Sequence, residues 1–409
     1  MAHATVHDSE TTSKLSPDGV PGELIDAVLR HLDDDHASLR ACTLVSPSWW
    51  SFARCHLLQT VVCRPNAPHL SPRHLSAFLS SSPDLIPYIH SLKIVGSQSA
   101  ESGNEVAVED VVPLLSALRE LKSLSLERVP VFTRARPHDP PIEATPLPGS
   151  EPFTIGLCAI DYTDSTDSFF RVLRDCLGPK PIRAILRFAS RDDHSSFPAF
   201  LDILGPKIIH LSCNLLGFLF DLSVLVAEFD SEDQGYDRNL DSHLDVPPCA
   251  LVTDLELFLT GSGFADTTTQ MALLWGQFSA LNELSKFLAP SAPIRRATLR
   301  FQRFGPHTRE TERMLTDILD PSNWFQCVGW LEGMLLQFRH LETLTCVLCD
   351  DTLAEQYGDY LPAVPMPSRV SSVAEVISRE EEYTFYESFV KRTFPEFLAR
   401  GVLQIQRAY

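Results

Sequence analysis

Apolar positions near the start of the chain recur at helical spacing. At 100° per residue, Pro21, Leu24, Ile25, Val28, Leu29 and Leu32 fall within an arc of about 140°, with Glu23, Asp26, Arg30 and His31 on the other side. Pro21 suits a first helical position, where its missing N–H is not needed, and Glu23 places a carboxylate in the first turn, where the helix dipole favours it. Asp33, Asp34 and Asp35 break the pattern as a solvated loop with a possible N-cap, and no glycine or closing glutamate follows to make a calcium loop. A second helix is expected over 37–45; its Leu39, Ala41, Cys42, Leu44 and Val45 point in nearly every direction, as in a helix buried on all sides. Ser46 and Pro47 then serve as N-cap and first position of a third helix, since proline inside a helix costs about 3 kcal/mol or more. Its Trp49, Trp50, Phe52 and Ala53 exceed what three short helices shelter alone, because units below ~40 residues rarely hold a self-sufficient core.

From about residue 61 the period changes to two. Eight stretches have the form Leu-x-apolar, led by Leu92, Leu124, Leu157, Leu186, Leu211, Leu255, Leu299 and Leu344, and each is a strand signal. Their spacing leaves room for helices, which are read over 111–121, 168–177, 197–204, 269–288, 311–319 and 324–338. Alternation of strand and helix implies a parallel sheet. In five cases an apolar residue stands three before the leading leucine (Ile89, Leu121, Ile208, Val252, Leu341), which resembles the core of a leucine-rich repeat. At 154, 183 and 296 the pattern is broken by Thr, Arg and Arg. The fold expected is therefore α/β: a three-helix segment (19–60), an irregular leucine-rich-repeat-like solenoid with a parallel sheet (61–352) and a helical C-terminal cap (353–409), after a disordered leader (1–18). Residues 130–152, rich in proline, and the acidic 231–248 read as loop insertions, and 360–367 as a linker.

Composition narrows the function. The 409-residue chain carries 53 acidic against 34 basic residues, a formal charge of −19, which opposes nucleic acid as a partner. The most apolar stretch, 215–229, is interrupted by Asp221 and Ser223 and falls short of the roughly 20 residues that span a bilayer, so no membrane is expected as a partner. Ten irregularly spaced cysteines and no Asn-x-Ser/Thr sequon fit a reducing compartment, cytoplasmic or nuclear.

Catalytic and metal-binding patterns are missing. Cys346 and Cys349 form the one C-x-x-C; on a strand their thiols would leave from opposite faces, with no second pair to complete four ligands. None of the 14 histidines is followed by Glu, and neither a P-loop nor a G-x-S-x-G elbow is present. No catalytic residue, metal or cofactor is assigned.

The order Pro21, Glu23-Leu24-Ile25, Val28-Leu29, Leu32, Leu39, Cys42, Val45-Ser46 and Trp49 resembles the F-box, in the F-box-like variant of fungal proteins. The resemblance covers about a tenth of the chain. It implies that Pro21, Leu24, Ile25, Val28, Leu39, Val45 and Trp49 contact a Skp1-like adaptor or shape the surface that does, and that the chain recruits a target protein to a cullin-type ubiquitin ligase. Residues between the core positions of the strands would form the target-binding strip: Lys93, Ser125, Cys158, Arg187, Ser212, Glu256, Arg300 and Thr345. The alternative is a leucine-rich-like scaffold whose N-terminal helices cap the stack without any ligase.

Overall fold

A computed structural model describes residues 20–32, 35–96, 105–134, 146–158, 164–187, 193–214, 249–262, 291–303, 327–352 and 378–408, together with 284, 287, 288, 309 and 312. Three helices open the chain: α1 (Gly22–Arg30), α2 (His36–Cys42) and α3 (Pro47–Gln59). The loop aspartate at 35 is an N-cap, its carboxylate accepting from the N–H groups of Ala37 at 3.1 Å and Ser38 at 3.0 Å. Ser46 caps α3 through Trp49 N–H at 3.4 Å, with Pro47 at the first turn.

The chain then enters a mixed α/β body. Its described elements are β1 (Thr60–Cys63), α4 (Pro72–Ser81), β2 (Ser91–Val95), β3 (Val106–Ala107), α5 (Val108–Ala117), β4 (Ser123–Glu127), β5 (Val131–Phe132), β6 (Phe153–Cys158), α6 (Asp164–Leu177), β7 (Ile182–Arg187), α7 (Asp193–Leu204), β8 (Ile208–Asn214), β9 (Asp254–Ser262), β10 (Arg296–Arg303), α8 (Cys327–Leu336), β11 (Thr343–Thr352), α9 (Arg379–Thr393), α10 (Pro395–Ala399) and β12 (Leu403–Ala408). Ten strands make one sheet in the order β1-β2-β4-β6-β7-β8-β9-β10-β11-β12, every neighbouring pair parallel. Spatial order therefore equals chain order. β3 and β5 form a separate two-stranded parallel sheet.

The leading leucines of all eight Leu-x-apolar stretches lie in strands of the large sheet. The pairing nevertheless moves the frame in three of them. One cross-strand row contains Val61, Leu92, Leu124, Ile155, Ala184, Leu211, Leu255, Ala297, Leu344 and Leu403. Leu157, Leu186 and Leu299 thus stand two residues beyond the row. Thr154, Arg183 and Arg296 are not broken core positions; they occupy the opposite face, because side chains alternate along a strand. Small alanines at 184 and 297, both essentially buried, hold the places that leucine takes in β2, β4, β8, β9 and β11.

The leucine-bearing face is covered by helices. Phe170 of α6 lies 5.9 Å from Phe169 and 5.3 Å from Phe200 of α7, edge-on to the latter, and all three rings are buried. Phe301 of β10 meets Tyr386 and Phe389 of α9 at 6.0 and 6.5 Å, so the C-terminal helix packs on the same face. Glu332 of α8 accepts from Glu396 N–H at 2.9 Å, satisfying the start of α10. The C-terminal region is not the purely helical cap that its sequence leads one to expect, because β12 extends the sheet by one strand. The regions read as helices over 269–288 and 311–319, the leader, the acidic insertion and the linker over 360–367 lie wholly or mostly outside the described residues.

Replacing Phe170 by Ala should lower the unfolding free energy by about 3–5 kcal/mol in urea denaturation, since the cavity is walled by two other rings. Replacement of the neighbouring exposed Arg171 by Ala should change it by less than about 0.5 kcal/mol.

Candidate protein-docking site

The three N-terminal helices enclose a small core of their own. Ile25 and Leu29 of α1, Leu39 of α2 and Ala53 of α3 are fully buried together, with Val20, Leu32, Cys42, Trp49, Phe52 and Leu57 partly buried around them. A Cβ on Gly22 would stand 2.8 Å from Phe52 Cζ, so glycine at the start of α1 permits the close approach of α3. His56 Nε2 lies 3.0 Å from Asp26 Oδ1 and joins the same two helices by a polar contact.

One side of this unit rests on the body. α3 continues directly into β1, His90 N–H donates to Gln59 C=O at 3.0 Å, and Arg54 stands 3.7 Å from Asp84. A cleft of about 330 Å³ at this junction is lined by Asp26, Arg30, Cys55, His56, Gln59, Tyr88 and His90, and Leu58 of α3 packs against the core of the body, so the seam is part polar and part apolar.

Elsewhere the unit exposes large apolar side chains. Leu24 is 57% and Val28 48% exposed, one turn apart on α1; Leu44 is 86% and Val45 63% exposed beyond the end of α2; Trp50 is 47% exposed in the first turn of α3. The expectation that the second helix is buried on all sides is overturned: only Leu39 of α2 is buried, and Ala41, Leu44 and Val45 face solvent. The helix ends at Cys42, and no other described element covers its outer side. Of the seven residues that the family resemblance assigns to partner contact, Leu24, Val28 and Val45 are exposed and Pro21 and Trp49 half-buried. Ile25 and Leu39 are at 0% exposure, so their side chains are unavailable to a partner and instead support the surface from beneath. Leu44 and Trp50 were not assigned by the sequence, though both belong to apolar doublets, Leu44-Val45 and Trp49-Trp50, of which a three-helix unit buries at most one member.

The second candidate surface is the sheet face opposite the helices. Lys93, Ser125, Ser212, Glu256 and Thr345 share one cross-strand row with Gly156, Ile185 and Thr298. Cys158, Arg187 and Arg300 do not join it; they stand in the next row along the strands, with Glu127, Asn214, Phe258 and Val347. The frame shift at β6, β7 and β10 is the cause. Cys158 and Ser212 are buried, so the strip is not uniformly accessible. A Cβ on Gly156 would come 3.1 Å from Ser125 Oγ, which keeps this row closely packed.

Several charges on this face are paired across strands. Lys93 Nζ meets Glu127 Oε1 at 2.7 Å, Arg300 Nε donates to Glu256, Ser212 Oγ donates to the other oxygen of Glu256 at 2.9 Å, and Arg296 Nε donates to Asp254. Burial works to raise the Asp254 carboxyl, but hydrogen bonds from Arg296 and Thr253 outweigh it and hold Asp254 below the usual carboxylate range. His210, between Arg183 and Asp254, is held below the ordinary histidine value; burial is the main cause, with Arg183 and Arg296 acting in the same direction against Glu256 and Asp254.

Among the described residues no group of three or more His, Cys, Asp or Glu side chains is placed to hold a metal ion, and no helix is long and apolar enough to cross a membrane. Cys346 and Cys349 are free and buried. No family model, curated protein or solved structure matches this chain.

Two outcomes follow from this geometry. Ile25→Ala should cost the N-terminal unit about 2–5 kcal/mol, read as accelerated amide hydrogen exchange over residues 22–59, whereas Leu44→Ser should leave exchange nearly unchanged. Because the folded state resists protonation of His210, stability should fall as pH drops below the unfolded-state value of 6.5, until the lower folded value is reached. His210→Asn should flatten that slope in urea midpoints measured between pH 7 and 5.

Proposed function

We propose that the chain is a substrate-recruiting adaptor of a Skp1–cullin ubiquitin ligase. In this reading the N-terminal helices are an F-box-like module for a Skp1-like subunit and, through it, a cullin. The body is a degenerate leucine-rich-like solenoid that offers its open sheet face to a target protein, and the chain performs no bond chemistry. It works in the cytoplasm or nucleus, where such ligases operate.

The observation that carries the proposal is the apolar surplus of the first three helices: Leu24, Val28, Leu44, Val45 and Trp50 remain exposed although the unit already has a closed core. Exposed apolar side chains in this density mark protein contact surfaces. Three of the five belong to the residues through which the segment resembles the F-box. Strict agreement of spatial and chain order in the large sheet supports a stack of successive strand–helix units.

A second reading, a scaffold with no ligase association, is favoured by one observation: α3 runs into β1 without a linker, as a capping element would. Coexpression of the full chain with Skp1 separates the two. A stable complex in size-exclusion chromatography is expected, and Val28→Asp with Leu44→Asp should abolish it while leaving the thermal unfolding of the body intact. Leu24→Ala or Val28→Ala should each weaken the complex by about 2 kcal/mol if they lie at its centre. Separate elution of Skp1 and the unaltered chain would leave the scaffold standing.

A further inference from the structure

The sheet face opposite the helices gathers four arginines in one place, two of them paired with Asp254 and Glu256 and with the buried Ser212 and Asn214 between the strands that carry them, although the whole chain is strongly acidic. Arg183 and Arg187 lie on β7, Arg296 and Arg300 on β10, with β8 and β9 between them. Pairing places Arg183, His210, Asp254 and Arg296 in one row, and Arg187, Asn214, Phe258 and Arg300 in another, four residues further along every strand. The four arginines therefore mark the corners of a frame roughly 13 Å along the strands and roughly 14 Å across them, from standard strand rise and spacing.

Two carboxylates lie inside the frame, and both are recessed. The Asp254 and Glu256 side chains are 21% and 19% exposed, against 71% for Arg296 and 34% for Arg300. Each accepts from the Nε of its arginine and from a hydroxyl, Thr253 for Asp254 and Ser212 for Glu256. They act as struts: the Nε edge of each guanidinium is held. Arg300 is further positioned over the Phe258 ring at 5.7 Å. Arg183 is exposed and makes no ion pair among the described residues. Oriented guanidiniums lose little entropy on binding and match carboxylates two bonds at a time.

We infer that this frame is a docking site for an acidic, extended protein segment whose Asp or Glu side chains engage Arg183, Arg296 and Arg300 across strands β7 to β10. The inference deepens the target-recruiting reading above by naming the chemistry of the segment recognised. It rests on that reading for its biological meaning, but the binding event is separately measurable.

The test uses the full chain and a fluorescently labelled oligoglutamate peptide, followed by anisotropy, with oligolysine and oligodeoxythymidylate as comparison probes. Oligoglutamate should bind, more weakly as salt is raised. Arg183→Gln with Arg296→Gln should reduce its affinity by roughly tenfold or more, while Arg171→Gln on α6, behind the sheet, should not. Equal binding by both variants, equal loss in both, or tighter binding of oligodeoxythymidylate than of oligoglutamate would each overturn the inference. An unchanged urea midpoint checks that the double variant is folded; if it is not, Arg183→Gln alone must show the loss. The Val28→Asp, Leu44→Asp chain should retain oligoglutamate binding. Failure to bind Skp1 and failure to bind oligoglutamate are thus independent results.

Discussion

The backbone hydrogen-bond ladder of the ten parallel strands is the constraint on which the remaining structure depends. A parallel pair fixes which residues stand side by side, and a shift of a single residue would send every side chain to the opposite face. With the register set, Leu92, Leu124, Ile155, Ala184, Leu211, Leu255, Ala297 and Leu344 all turn toward the helices. The same ladder aligns Arg183 with Arg296, and Arg187 with Arg300, across two intervening strands. Core and open face are two consequences of one pairing.

The N-terminal helices obey a different balance. Four fully buried side chains close their core, and the seam with the body is made by α3, through Arg54 beside Asp84, the bond from His90 N–H to Gln59 C=O, and Leu58 packed against the core of the body. A unit this small has more surface than interior, so its remaining leucines, valines and tryptophan have nowhere inward to go. Their exposure follows from size, and it is the feature on which the proposed adaptor contact rests. Ile25 and Leu39, interleaved with them in sequence, do the opposite work and hold the helices together.

Much of this was legible residue by residue. Pro47 behind Ser46 marked the start of α3, and the period-two leucines marked eight strands of the sheet. Two strands of the large sheet went unread: β1, whose Thr60-Val61-Val62-Cys63 follows a helix with no turn residue, and β12, whose Leu403-Gln-Ile405-Gln alternation lies after a helical stretch; so did the two-residue β3 and β5 of the small sheet. Arg183 and Arg296 were read as interruptions of the core. An arginine three residues before a strand leucine, where an apolar residue belongs, is itself a sign that the leucine stands two residues beyond the core row, and at β7 and β10 that sign was present.

Local pattern alone determined the α/β class, the three opening helices, their caps and the surplus of apolar side chains near the amino terminus, because each depends on residues within one or two turns of one another. Tertiary structure decided which members of that surplus are covered, since burial of Leu39 but not Leu44 depends on where α3 returns against α2. It also decided the row to which each strand residue belongs. That assignment depends on hydrogen bonds between strands tens of residues apart, and a template that seeks leucine cannot see a core position filled by Ala184 or Ala297.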